Sequence, residues 1–237
     1  MLAHRQALEA QLLRTPPDAV QPGSALLALA IGQGQRAYQR HCASCHGRDL
    51  RGDPLRGVPN LIDDDWLYGS GRASEIERTV LYGIRAGNSK GWDLASMPAF
   101  GTPVPYQRYA VTPLTPIQIE EVLQYILQFQ GAATDMEAAA RGEKLFHNTE
   151  VGTCADCHSF DGKGDASIGA PNVTDAIWLR GRGTPGDIRE TIERGLSQSC
   201  PSWIGRLSMV EIRSLAVYLH VAASQHTGQP SARGEHS

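Results

Sequence analysis

Apolar positions along the chain recur mostly at three- and four-residue intervals, the spacing of a helix with one buried face. The clearest such stretches are "TPIQIEEVLQYILQFQ" (Thr115–Gln130) and "SMVEIRSLAVYLHVA" (Ser208–Ala222). Thr115 and Ser208 stand where an N-cap is needed, and Glu211 falls three residues after Ser208, completing a capping box. Earlier helices are predicted over Leu26–Arg40 and Glu137–His147, and shorter amphipathic ones over Glu75–Gly83 and Asp187–Gly195. No stretch alternates with period two, so no strand is predicted and the fold class is all-α.

The pattern occurs twice. At a fixed offset of 112 residues, "GVPNLIDDDWLYGSG" (Gly57–Gly71) matches "GAPNVTDAIWLRGRG" (Gly169–Gly183), and "EIERTVLYG" matches "DIRETIERG". An internal repeat of this kind implies one structural unit used twice. The linear division is residues 1–22 as an N-terminal extension ending in turn-rich "TPPDAVQPG", 23–132 and 133–223 as tandem domains with a boundary near "GAATDMEAA", and 224–237 as a disordered tail.

Each half contains C-x-x-C-H: "CASCH" (Cys42, Cys45, His46) and "CADCH" (Cys154, Cys157, His158). This spacing is the attachment signal of a c-type haem. Two thiols add to the two vinyl groups of one porphyrin, and the adjacent His lies beneath the iron as proximal ligand. A redox dithiol or half a zinc site would also use C-x-x-C, but neither explains a following His in both copies. Two covalently bound haem c groups are therefore expected, haem 1 at Cys42/Cys45 and haem 2 at Cys154/Cys157. They would supply much of the apolar core that two small domains of a Gly- and Pro-rich chain lack (25 Gly and 14 Pro).

Composition excludes little else. A net charge of −3 argues against a nucleic-acid partner. "SALLALAIG" is far shorter than the roughly 20 residues that span a bilayer. No signal peptide opens the chain, although bacterial haem attachment takes place outside the cytoplasm. The expectation is a periplasmic protein whose targeting or anchor segment has been removed.

Sixth ligands come next. Met97 in "SMPAFG" suits haem 1, with Pro98 stiffening the loop. The second half holds Cys200 in "CPSWIG" at the place of "MPAFG". Met209 lies opposite Met97 by strict offset, but the preceding loop is nine residues shorter in the second half, and Met209 opens the last helix. The linear reading is thus His46/Met97 for haem 1 and His158/Cys200 for haem 2. Rival placements are ligation by Met209, a five-coordinate iron beside Cys200, or an inert or intermolecularly paired thiol. Trp66 and Trp178 are candidates to pack on the haem edge or bond a propionate, against a plain core role. Asn60 and Asn172 are expected to hold a loop, and Arg206 and Arg85 to reach propionates or stay on the surface. His41 and His147 are weak ligand candidates. Asp63–Asp65 reads as a solvated capping turn.

With these residues in hand, the chain resembles the di-haem cytochrome c subunit of cbb-type haem–copper oxidases, through "TPPDAV", "CASCHGRDLRG", "GVPNLIDDDWLYG", "MPAFG", "CADCHSFDGKGDASIGAPN" and "GRLSMVEIRSLAVYLH". The resemblance runs from about Thr15 to His220. It implies two tandem cytochrome c-like domains and transfer of single electrons between redox partners (cytochromes, a terminal oxidase or a dehydrogenase) in a bacterial respiratory chain. Members carry a membrane anchor, and they carry Met where this chain has Cys200. A His/Cys haem also resembles that of thiosulfate-oxidising cytochromes, so oxidation of a small sulfur compound at haem 2 is the alternative function.

Overall fold

The computed structural model describes residues 2–102 and 111–227. In chain order the helices are α1 (Leu2–Arg14), α2 (Ala25–His41), α3 (Ala43–His46), α4 (Ala73–Tyr82), α5 (Pro116–Phe129), α6 (Met136–Phe146), α7 (Ala155–His158), α8 (Pro185–Arg194) and α9 (Met209–Thr227). Two short 3-10 helices, Pro17–Ala19 and Pro54–Arg56, and, among the described residues, isolated β-bridges accompany them. The predicted helices are present and their caps are those the sequence indicates. Thr115 accepts from the Gln118 amide while Gln118 reaches back to Thr115 N–H. Ser208 and Glu211 do the same at α9. The helix α9 continues to Thr227, so residues 224–227 are ordered helix, contrary to the expected tail; residues 228–237 lie outside the described residues.

The chain forms two compact units, and they do not follow the linear division. Unit 1 comprises residues 1–53, 58–92 and 199–237; unit 2 comprises residues 54–57 and 93–198. Unit 1 therefore takes α1 to α4 from the first repeat but its closing helix, α9, from the second. Unit 2 takes α6 to α8 from the second repeat and α5 from the first. The two repeats have exchanged their last quarters.

In unit 1, α9 crosses α2 and packs on α4. Ile212, Leu215 and Ala216 of α9 are fully buried, and Leu215, Ala216 and Leu219 lie with Ala37, Tyr38, Leu50, Ile62 and Ile76. The crossing is close at Gly34, where a Cβ would stand 2.2 Å from the Ser214 carbonyl oxygen. The expected N-terminal extension is part of this unit: Leu12 of α1 is fully buried with Leu26, Ala30 and Val217. Arg213 of α9 pairs with Glu77 of α4 and donates to the carbonyls of Leu12 and Thr15, holding the end of α1. Asp18 of "TPPDAV" accepts from the Ser74 amide at the start of α4 and pairs with Arg72.

In unit 2 the corresponding crossing is α5 on α6. Only residues 130–135 join these helices, and so short a connection makes them antiparallel neighbours. Gln124 fixes the hairpin by accepting from the amides of Thr134 and Asp135. Arg189 of α8 donates to Glu120 of α5, and Ile188 and Ile192 join Ile119, Val122, Leu123 and Ile126 in the core. At Gly142 a Cβ would lie 1.9 Å from the Glu121 carbonyl oxygen. Gly142→Ala is expected to cost about 1–3 kcal/mol through overpacking against rigid backbone, read as a lower urea midpoint; an unchanged midpoint would mean that this crossing is looser than described.

Candidate haem-binding sites

The two C-x-x-C-H segments have the same local build. In each, the first Cys caps a single helical turn, α3 or α7, that carries the second Cys and the His and follows the first helix of its repeat. The backbone leaves that turn through a positive-φ residue, Gly47 (φ 75) or Ser159 (φ 64). The imidazole is then aimed by the G-x-P-N loop. His46 Nδ1 lies 3.1 Å from the Pro59 carbonyl oxygen, and His158 Nδ1 lies 2.9 Å from that of Pro171. A carbonyl can only accept, so Nδ1 carries the proton and Nε2 keeps its lone pair. Burial lowers the pKa of both imidazoles, and the Pro carbonyls oppose that shift in part. Both rings are thus neutral with one nitrogen free, the state an iron ligand requires.

The loops around them explain the other repeated residues. Asn60 Oδ1 accepts from the Ile62 amide, and Asn172 Oδ1 accepts from the Thr174 amide and hydroxyl. These are Asx turns that hold G-x-P-N in shape. Trp66 and Trp178 each lie against a positive-φ glycine; a Cβ at Gly71 would stand 2.3 Å from Trp66 and one at Gly183 2.1 Å from Trp178. Trp66 and Cys42 both pack against the core of unit 1, and Trp178, Cys154 and Met97 against that of unit 2.

The distal candidates occupy equivalent backbone positions. Cys200 exchanges amide–carbonyl hydrogen bonds with Ile84 (3.0 and 2.9 Å), and Met97 exchanges them with Leu196 (3.1 and 3.0 Å). Ile84 and Leu196 are themselves repeat equivalents, each following the glycine that ends α4 or α8. The reading of Cys200 as the counterpart of Met97 therefore holds in the geometry. Their assignment to units does not. Cys200 lies in unit 1, with His46, and Met97 in unit 2, with His158. The linear pairing, Met97 over His46 and Cys200 over His158, would thus join residues of different units. The cause is the exchange of closing helices, because each distal loop travels with the helix that follows it. Burial pushes the Cys42 thiol up to about 12, and the nearby Cys200 adds to the shift. Burial, then Cys45, pushes Cys200 up to about 11. Burial pushes Cys154 up to about 12, with Cys157 and Asp156 as its charged neighbours.

The remaining candidates find other partners. Met209 is the first residue of α9 and is 42% exposed. His147 Nδ1 lies 2.9 Å from the Glu143 carbonyl oxygen and Nε2 2.8 Å from that of Phe160. His41 meets the Trp203 ring edge-on. The Arg206 guanidinium lies over Trp203, and Arg85 donates to the Tyr68 hydroxyl. Sequence reasoning missed Pro59 and Pro171 as acceptors, although both stand in the repeated G-x-P-N. It also missed His220, whose Nδ1 lies 2.9 Å from the Gly71 carbonyl oxygen on the loop under Trp66.

Two C-x-x-C-H turns, each with its imidazole oriented for a metal and each in its own helical unit, define a di-haem c-type cytochrome. The sequence profile of cytochrome c oxidase, cbb3-type, subunit III matches residues 30–126 and again 137–219. The chain belongs to that family, and with it come two covalently bound haem c groups and tandem cytochrome c-like sequence repeats. Among curated relatives, the cbb3-type cytochrome c oxidase subunit FixP of Azorhizobium caulinodans is 37% identical over 91% of this chain and 68% of its own length. Subunit CcoP of Cereibacter sphaeroides is 38% identical over 89% and 67%. FixP of Bradyrhizobium diazoefficiens is 40% identical over 85% and 64%. The chain spans about two thirds of the length of these relatives. Among its described residues no helix is long and apolar enough to cross a membrane.

Proposed function

We propose that the chain relays single electrons in the periplasm between a donor cytochrome and a cbb3-type terminal oxidase, with haem 1 held between His46 and Cys200 and haem 2 between His158 and Met97. The placement of Cys200 beside Cys42 and Cys45, in the unit that holds His46, supports this most directly. Each haem iron, when bound, carries one electron by cycling between ferric and ferrous states. The chain does the rest. Pro59 and Pro171 fix the proximal imidazoles. Ile84 and Leu196 pin the backbone of Cys200 and Met97, and Pro201 and Pro98 stiffen the residues that follow. A thiolate from Cys200 would make haem 1 the centre of lower potential, and a thioether from Met97 would make haem 2 the higher. The alternative, oxidation of a small sulfur compound at the Cys-ligated haem, moves with Cys200 from the His158 unit to the His46 unit.

The pairing is tested in the full chain by removing one attachment site at a time. In Cys154→Ala/Cys157→Ala the low-spin, narrow-g electron paramagnetic resonance signal of thiolate ligation is expected to persist. In Cys42→Ala/Cys45→Ala it is expected to vanish. The opposite result would restore the linear pairing.

A further inference from the structure

The exchange of distal loops allows a position-by-position comparison of the two units next to their haem-binding turns. After Cys200, Trp203 donates its amide to the Val80 carbonyl and Ile204 to that of Leu81. After Met97, Phe100 donates to Ile192 and Gly101 to Glu193. Val80 and Ile192 are repeat equivalents, as are Leu81 and Glu193, so Trp203 stands where Phe100 stands and Ile204 where Gly101 stands. The side chains differ in what they do. Phe100 is 4% exposed and belongs to the core of unit 2. Trp203 is half-buried and is covered by a guanidinium, that of Arg206, 4.2 Å from the ring centroid. Ile204 is 46% exposed, at a place where the other unit has no side chain at all. The fold does not need Ile204, since the same backbone pairing forms around Gly101. Met209, 42% exposed, and Cys45 lie open in the same unit.

The surroundings are basic. His41, at the end of α2, meets the Trp203 ring with centroids 5.4 Å apart. Arg40 and His41 both lie near enough to Glu211 to lower its pKa, after the larger effect of the Ser208 cap. Arg36 stands one turn before Arg40, and both are exposed. Neither Arg36, Arg40 nor Arg206 is held in a salt bridge among the described residues, whereas Arg5, Arg51, Arg72 and Arg213 of the same unit are. The opposing charge on this face is Glu211, already committed to capping α9. By sequence, unit 1 has 13 Lys and Arg against 11 Asp and Glu, and unit 2 has 9 against 14. The two units thus carry net charges of opposite sign within one acidic chain.

We propose that Trp203, Ile204 and Met209, framed by Arg36, Arg40 and Arg206, form the docking face of unit 1 for a small electron-transfer protein with an acidic surface. Such interfaces are small and short-lived, with an apolar centre inside a charged rim. Arginines outside salt bridges steer an acidic partner and set its rate of encounter. The exposed isoleucine supplies desolvated contact four residues after Cys200. The proposal rests on the electron-relay reading, and its test separates the two.

The probe is a mono-haem cytochrome c of net negative charge, with one of net positive charge as control, each titrated calorimetrically into the haem-loaded full chain. The acidic probe is expected to bind more tightly than the basic one at low salt, and its association rate to fall roughly tenfold or more as salt screens the steering. Arg36→Glu/Arg40→Glu, two exposed positions outside the haem-binding turn, should weaken that binding at least about tenfold and flatten its salt dependence. Ile204→Gly, the residue unit 2 uses, should weaken binding without changing the salt slope. Reduction by a small uncharged reductant should be unchanged in both variants. Failure of that last reaction in the wild type would count against the relay reading. Equal binding of the acidic probe by wild type and variants, preference for the basic probe, or a charge-reversal effect seen only on anionic phosphatidylglycerol vesicles would each overturn the docking face.

Discussion

Replacing Cys200 by Met is expected to raise the midpoint potential of the haem attached at Cys42 and Cys45 by a few tenths of a volt, within the roughly 0.8 V that axial ligands command. A thiolate is anionic and stabilises ferric iron; a thioether is neutral and favours the ferrous state. Methionine has a template for the site. Met97 occupies the equivalent backbone position, paired to Leu196 as Cys200 is paired to Ile84. Optical potentiometry of the holoprotein checks this, since two waves separate the haems. The wave that moves must be the one missing from Cys42→Ala/Cys45→Ala. A shift in the other wave would place Cys200 over His158, and no shift would remove it from the iron.

Leu215→Ala and Leu123→Ala are expected to cost about 2–5 kcal/mol each, because both side chains are fully buried and their cavities are walled by rigid helices. The informative result is which haem each one loosens. Leu215 belongs to the second repeat by sequence but packs with Tyr38, Leu50 and Ile76 of unit 1. Leu123 belongs to the first repeat but packs with Ile188 and Ile192 of unit 2. In a denaturant titration followed at each haem, Leu215→Ala should release the haem at Cys42/Cys45 first, and Leu123→Ala the haem at Cys154/Cys157. The reverse order would mean that each repeat closes on itself.

These two experiments bear on the point where the sequence could be read only in part. The helices were legible because their apolar stripes and caps are local; Thr115/Gln118 and Ser208/Glu211 are visible as letters. The haem-binding turns were legible because C-x-x-C-H is contiguous. The likeness of Cys200 to Met97 was legible too, from the residues beside each. What local pattern cannot carry is the choice between two equivalent partners. The stripes of α5 and α9 are interchangeable to any periodicity argument, so linear order set the expected domains. The short 130–135 connection was the available signal, since it favours α5 against α6. The burial of Leu12 was hidden for a different reason: α1 has no strong stripe, and its attachment depends on Arg213, 201 residues away. The Pro59 and Pro171 acceptors were missed because a carbonyl belongs to the backbone and leaves no mark in the alphabet.

The reciprocal exchange of closing helices also sets an order of completion. The last residue that unit 2 requires is 198, whereas unit 1 needs the helix that ends at Thr227. For a chain that emerges N-terminus first, the motif made second is the first to find all of its fold. The motif made first waits, open, until the final helix arrives, and Cys200 is delivered to it only a few residues before that helix.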